Sequence, residues 1–280
     1  MKYSSHVAVV TGAGSGIGQA LTQALVADGA RVAACDIDEA GLAATAASCA
    51  PGQVSSYRLD VADRDAVLGC AEAVRRDLGP ASMVFNNAGV DLISTVADTT
   101  WDDLDWLLGI INGTKAFLPQ LCESGTQDRP ARLINISSAF GLIAVPSQSA
   151  YSTSKFAVRG FTEALRQEMI IDRRPVTVHC VHPGVVRTNF SANARVSEHD
   201  PDAERTRKLG DRAALTTPEK AARLILRGVE KNRGRILIGA DGRIAAALPR
   251  ILGSRSTDIV AHAARLASSR LDRRSPKTAP

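Results

Sequence analysis

Short apolar runs of four to eight residues recur along the chain, separated by longer stretches whose apolar positions repeat every three or four residues. The strand candidates, many of them such runs, fall at 6–11, 31–36, 54–59, 82–86, 131–137, 175–182 and 235–238. His6-Val7-Ala8-Val9-Val10 shows the type: it is continuously apolar with little alternation, as a parallel strand buried on both faces requires. The stretches between predict helices over 16–28, 38–48, 63–78, about 101–123, 150–171 and 217–231. In the first of these, Ile17, Ala20, Leu21, Ala24, Leu25 and Ala27 line one stripe. Strand–helix alternation on this scale predicts an α/β fold with one doubly wound parallel sheet, helices on both faces and right-handed crossovers. A ligand would then lie across the carboxyl ends of the strands, where the strand order reverses.

Composition narrows the reading. A chain of 280 residues can bury one large core. No apolar stretch reaches about 18 residues, so a membrane span is not expected, and no charged segment followed by an apolar run predicts a secretory signal. The five cysteines (Cys35, Cys49, Cys70, Cys122, Cys180) are scattered without a C-x-x-C pair, which suits free thiols in a reducing cytoplasm. His179 and His182 stand three apart on a predicted strand, hence on opposite faces, so no metal site is expected. From Arg243 onward there are eight Lys/Arg and two Asp/Glu, a net +6 against +5 for the whole chain. The expected organisation is a catalytic domain over 1–242, near neutral, and a basic, partly disordered extension over 243–280. A basic amphipathic tail can lie on an anionic membrane. The expected state is instead a packed apolar segment with a solvated end. With aromatics at 4 %, nucleic-acid binding has no support.

The first apolar run leads into Thr11-Gly12-Ala13-Gly14-Ser15-Gly16-Ile17-Gly18 and then a helix. Strand, glycine turn and helix N-terminus together make a cradle for a pyrophosphate, with Gly12, Ser15, Gly16, Ile17 and Gly18 as the candidate residues. The spacing is G-x-x-x-G-x-G, not G-x-G-x-x-G. The second run ends at Asp36, twenty residues after Gly16. An acid there is placed to accept hydrogen bonds from an adenosine ribose and to repel a 2′-phosphate, which predicts NAD over NADP. The architecture expected is therefore a single Rossmann-type sheet.

Ser138, Tyr151 and Lys155 are the candidate reacting groups. Tyr151 and Lys155 lie four apart in a predicted helix and so share a face. An ammonium beside a phenol favours the phenolate, which predicts a Tyr151 able to act as acid or base nearer neutral pH. Ser138, at the end of the preceding strand, can hold a substrate oxygen against it.

With these motifs in order, residues 5 to 240 resemble the short-chain dehydrogenase/reductase family. Thr11-Gly12 through Gly18 resembles its cofactor loop, and Asp60-Val61 the pair that contacts adenine. Asn86-Asn87-Ala88-Gly89 resembles its N-N-A-G, where Asn87, Ala88 and Gly89 line the adenosine side. Pro183-Gly184-Val185-Val186-Arg187-Thr188 resembles its P-G-x-x-x-T, in which Val185 and Thr188 bracket the nicotinamide carboxamide. The resemblance implies hydride transfer between a secondary alcohol or ketone and NAD. Tyr151 would be the general acid/base, with Lys155 holding the nicotinamide ribose. It further implies pairing through the helices at 101–123 and 150–171, giving a homodimer or homotetramer, and a mobile substrate lid at 189–215. Residues from Val90 to Thr95 and from Phe140 to Val145 are expected to face the substrate, and the apolar Phe140, Leu142, Ile143 and Val145 suggest a hydrophobic one.

The chain departs from the family pattern in one helix. The family run Asp-Trp-x-x-x-Ile-Asn-x-x-Gly-Val-x-x-Gly-Thr-Lys-Ala-Phe-Leu-Pro carries a catalytic Asn. Here Asp105-Trp106 is followed by Leu107-Leu108-Gly109-Ile110-Ile111-Asn112-Gly113-Thr114-Lys115. About five residues are missing, roughly one and a half helical turns. Either Asn112 substitutes for the lost Asn or, as the register of Gly113 to Phe117 favours, it matches a later, non-catalytic position. The loss raises an alternative, an NAD(H)-binding protein with impaired catalysis.

Overall fold

The computed structural model describes residues 1–94, 110–188, 190, 194–196 and 215–272. Seven parallel strands form the main sheet: β1 (Val7–Thr11), β2 (Arg31–Asp36), β3 (Val54–Arg58), β4 (Met83–Asn86), β6 (Ala131–Ile136), β7 (Val176–Pro183) and β9 (Arg235–Ile238). Their order is β3-β2-β1-β4-β6-β7-β9. Val9 stands between Ala33 of β2 and Val84 of β4, so β1 is central and all five of its residues are buried. The chain builds outward from β1 to β3, then crosses back to β4 and builds the other way. The switch point therefore lies between the carboxyl ends of β1 and β4.

Among the described residues, eight helices accompany the sheet: α1 (Gly16–Ala27), α2 (Glu39–Ala47), α3 (Arg64–Leu78), α4 (Ile110–Ser124), α5 (Ser149–Ile171), α6 (Pro218–Glu230), α7 (Gly239–Leu252) and α8 (Arg255–Asp272). On one face Leu21 and Leu25 of α1 and Ile225 of α6 pack with Val10, Phe85 and Ile238. On the other, Val67 and Val74 of α3, Phe117 and Leu121 of α4 and Leu165 of α5 pack with Val9, Val84 and Leu133. Burial of apolar surface on both faces is what holds the sheet, and it explains the unbroken apolar runs. Side-chain caps set three helix starts. Asp38 accepts from the Gly41 N–H, Asp63 from Ala66 and Thr217 from Lys220, the last just before Pro218 at the first helical position.

Two features depart from the sequence expectation. A second, two-stranded parallel sheet pairs β5 (Leu92–Ile93) with β8 (Arg195–Val196). The boundary expected at 242–243 falls inside α7, and helix continues to Asp272. Ala245 and Ala246 of α7 pack on Ala139 and Leu142, so this segment belongs to the folded body. Residues 101–109 of the shortened helix, Thr95, most of the 189–215 lid and residues 273–280 lie outside the described residues. Among the described residues no helix is long and apolar enough to cross a membrane.

Both histidines of β7 are fully buried. His179 contacts the Arg233 carbonyl (2.8 Å) and Thr177 Oγ1 (3.0 Å), and His182 contacts the Ser138 carbonyl (2.9 Å). Burial pulls each down to about 4, so both are neutral at pH 7. All five cysteines are free thiols, with Cys35 and Cys70 facing each other at 3.8 Å.

Candidate active site

The glycine turn joins β1 to α1 at the switch point. Gly12 and Gly16 have φ of 67° and 53°, a region that penalises any Cβ. A Cβ on Gly12 would stand 2.9 Å from the Ala88 backbone, and one on Gly16 2.9 Å from Thr188 Cγ2. The turn thus brings three predicted segments together: the glycine loop, the Asn87-Ala88-Gly89 run and the end of the 183–188 stretch. Thr11, not singled out in the sequence, is the clamp. Its Oγ1 accepts from the N–H groups of Asn87 (3.0 Å) and Ala88 (2.9 Å), while Asn87 Nδ2 donates to the Thr11 and Gly12 carbonyls (2.9 and 3.3 Å). Ser15 precedes α1 without a side-chain cap, which leaves the helix N–H groups facing outward.

Asp36 closes the other side of the loop. Its Oδ2 accepts from the Gly14 N–H (2.8 Å) and its Oδ1 from the Asp38 N–H (3.0 Å). Asp60 accepts from the Ala62 N–H (2.9 Å), shaping the turn that carries Val61. Pro183 ends β7. Gly184 donates to the Ile238 carbonyl (3.0 Å) and Val185 donates to Asp241 Oδ2 (2.6 Å). Asp241, at the start of α7, is a positioning residue that the sequence did not announce.

Ser138, Tyr151 and Lys155 meet at the carboxyl end of β6. Ser138 starts a short 3-10 turn, Ala139–Gly141, and its Oγ accepts from the Phe140 N–H (3.1 Å). That bond leaves the hydroxyl proton free to point outward. The His182 contact to its carbonyl fixes the backbone behind it. Ser137 Oγ donates to the Lys155 carbonyl (2.8 Å) and so clamps α5 to β6. Lys155 Nζ reaches the Ile136 carbonyl (3.4 Å) and stands 5.4 Å over the Tyr151 ring. Phe140 and Phe190 flank that ring, with centroids at 6.2 and 6.1 Å. A Cβ on Gly89 would stand 3.2 Å from Lys155 Nζ, which links this cluster to the glycine-loop side.

The electrostatics correct one expectation. Burial pushes the Tyr151 phenol well above its ordinary range, the charge of Asp91 raises it further, and the Ser138 hydrogen bond lowers it. Burial of the phenol thus outweighs the depression expected from Lys155, whose ammonium stands 5.4 Å over the ring. Burial pulls Lys155 down to about 8, opposed by Asp91 and Cys180. Burial raises the Asp91 carboxyl, opposed by Gln148, the Leu92 N–H and Lys155.

Asn112 lies on α4 and donates its amide to the Val61 carbonyl (3.1 Å), which ties it to the Asp60-Val61 turn. A chain of buried hydrogen bonds runs beside it. Asn86 Nδ2 donates to Thr114 Oγ1 (3.0 Å) and Asn135 Oδ1 (2.8 Å), and Asn135 Nδ2 donates to Thr162 Oγ1 (3.0 Å). Among the described residues, no cluster of three His, Cys, Asp or Glu side chains could hold a metal.

A nucleotide-type glycine turn at the switch point, facing a Ser, Tyr and Lys cluster on the next strands, defines the class as a Rossmann-fold oxidoreductase. The family model for short chain dehydrogenase matches residues 6–199. The chain is 45 % identical over 266 residues to SadH of Mycobacterium tuberculosis (strain CDC 1551 / Oshkosh), covering 92 % of this chain and 95 % of that protein. It is 29 % identical over 236 residues to human dehydrogenase/reductase SDR family member 11, covering 80 % and 88 %. A solved short chain dehydrogenase/reductase from Burkholderia phymatum, in complex with NAD, superposes with a TM-score of 0.82 at 26 % identity, covering 89 % of this chain and 94 % of that one. The chain belongs to the short-chain dehydrogenase family and is an oxidoreductase.

Proposed function

We propose that the protein transfers a hydride between a secondary alcohol or ketone and NAD, with Tyr151 as the general acid/base. The observation that carries this reading is the buried Tyr151 beside Lys155, whose Nζ lies against Gly89 on the glycine-loop side. The loop fits a dinucleotide. Its positive-φ glycines leave room that a Cβ would fill, and the start of α1 presents uncapped N–H groups. Gly12, Ser15, Gly16, Ile17 and Gly18 would hold the pyrophosphate. Asp36 would meet the adenosine ribose, Asp60 and Val61 the adenine side, and Asn87, Ala88 and Gly89 the inner wall. Pro183, Gly184, Val185 and Thr188 would flank the nicotinamide. When bound, the cofactor supplies the hydride acceptor or donor and, in its oxidised form, a positive charge.

The chain's own residues do the rest. Ser138 donates its free hydroxyl proton to the substrate oxygen and holds it against Tyr151. Tyr151 takes the alcohol proton in oxidation and returns it in reduction. Its raised pKa makes the phenol, the proton-donating form, the resting state, so the oxidative direction depends on extra positive charge arriving at the site. Lys155 supplies part of that charge and would bind the nicotinamide ribose. Phe140 and Phe190 exclude water around the ring.

A second reading, NAD(H) binding with impaired turnover, draws support from the tie between Asn112 and Val61, which occupies the amide away from the Tyr151 cluster. Calorimetric titration with NADH and NADPH, followed by turnover of a secondary-alcohol panel, separates them. Tight NADH binding with much weaker NADPH binding and measurable turnover supports the first reading. NADH binding without turnover supports the second. Equal binding of both cofactors refutes the role given to Asp36.

A further inference from the structure

Asp91 is a carboxyl where the family motifs call for none. It follows Gly89 by two residues within the otherwise apolar Val90-Asp91-Leu92-Ile93. It is only 8 % exposed, and its Oδ1 has no hydrogen-bond partner. Gln148 is 5 % exposed, and its Oε1 also lacks a partner. The Gln148 amide and the Leu92 N–H reach the carboxyl, so one oxygen of Asp91 and the amide oxygen of Gln148 are left buried without a donor.

The backbone fixes both groups beside the reacting cluster. Gly89 is the residue that approaches Lys155 Nζ, and the Asp91 carbonyl accepts from the Arg195 N–H (3.0 Å) of β8. Ser94 forms a bridge with Gln148, and its N–H donates to the Ser147 carbonyl (3.1 Å). Gln148 caps α5 three residues before Tyr151. Asp91 is therefore held between the start of α5 and β8, near enough to Tyr151 and Lys155 to act on the charge of both.

We propose that Asp91, backed by Gln148, is the specificity-determining acceptor of this site, taking a hydrogen bond from a second hydroxyl of the substrate. The substrate class is then a diol or its hydroxyketone, with an apolar remainder against Phe140, Leu142 and Ile143. The inference rests on the oxidoreductase reading above and deepens it. Charge selects the donor. A cationic group would be repelled by Lys155 and an anionic one by Asp91, whereas a neutral hydroxyl satisfies Oδ1 without either conflict. A site built to hydrogen-bond a hydroxyl rejects the analogue lacking it, because the buried acceptor is left unpaired.

The test uses the full-length enzyme with NAD and compares 2-octanol with 1,2-, 2,3- and 2,4-octanediol. Wild type should turn over at least one diol with a kcat/KM about 10²-fold above 2-octanol. Asp91→Leu should bring that ratio close to one, by lowering the diol value and raising the 2-octanol value, since it replaces the unpaired acceptor by an apolar group. Asp91→Asn, which keeps the shape and one acceptor, should fall between. NADH affinity within twofold of wild type in both variants shows that the fold and cofactor site survive. Turnover of 2-octanol at a rate equal to every diol overturns the inference and leaves the oxidoreductase reading standing, as does a diol preference that Asp91→Leu leaves unchanged. A wild type that binds NADH yet turns over none of the four overturns both.

Discussion

Acidification tests the two buried histidines of β7. His182 is neutral with Nδ1 facing the Ser138 carbonyl, which can only accept, so Nδ1 carries the proton and Nε2 is bare. Nε2 has no partner in the core. Protonating it would bury a cation beside the Arg235 and Arg159 charges, opposed by the Ser138 carbonyl and the Glu163 charge. The folded-state pKa is about 4, against 6.5 for the free side chain. Between those values the unfolded chain binds a proton that the folded chain does not. Stability is therefore complete above about pH 6.5 and declines as pH falls, by about 1.4 kcal/mol per pH unit. Across the window this amounts to about 3 kcal/mol from His182, and His179 follows the same logic. Asp91 acts in the opposite sense: its raised carboxyl pKa contributes stability that is lost as pH rises. Comparing wild type with His182→Gln cancels that contribution, and Gln can still donate to the Ser138 carbonyl. Urea unfolding at pH 7.5, 6.0 and 5.0 should show the variant losing about 1.4 kcal/mol per pH unit less than wild type below pH 6. Parallel pH slopes for the two proteins would refute the assignment of a buried neutral imidazole at 182.

Tyr151→Phe should lower turnover by about 10²–10⁴-fold, the usual worth of a positioned acid/base, with NADH binding retained in calorimetry; a wild-type rate would remove Tyr151 from the mechanism. Gly16→Ala should weaken NADH binding at least tenfold, because φ of 53° and the Thr188 methyl both oppose a Cβ; unchanged affinity would mean that the turn is not the cradle.

Much of this molecule could be read from its sequence. All seven strands of the main sheet were predicted within about two residues of their ends; in the inner strands such as β1 and β4 burial on both faces writes an unbroken apolar run, while the edge strand β3 reads as mixed. The two-stranded sheet was not, since Leu92–Ile93 and Arg195–Val196 are two residues each and pair only through the tertiary fold. The C-terminal segment was expected as a packed apolar stretch with a solvated end; Ala245 and Ala246 of α7 pack on Leu142, and α8 carries the helix on to Asp272. At the site, glycine spacing and the Tyr–Lys pair were legible because local geometry dictates them. Thr11, Asp91, His182 and Asp241 were not, because their roles arise from contacts across 40 or more residues, such as His182 to Ser138. Asp91 was reached only as one of Val90 to Thr95, the stretch expected to face the substrate.

Asp36 has two tasks in one side chain. One oxygen braces the glycine loop at Gly14, and the other steadies the backbone of Asp38, whose own side chain starts α2. The group proposed to discriminate between cofactors is thus also a strut of the loop that receives them. Changing it to welcome a 2′-phosphate would remove the discrimination and slacken the loop in the same step. A lineage moving toward the phosphorylated cofactor must pass through a form that binds both poorly, unless another residue takes over the brace first. The discrimination proposed for Asp36 is therefore bound up with the loop's own shape.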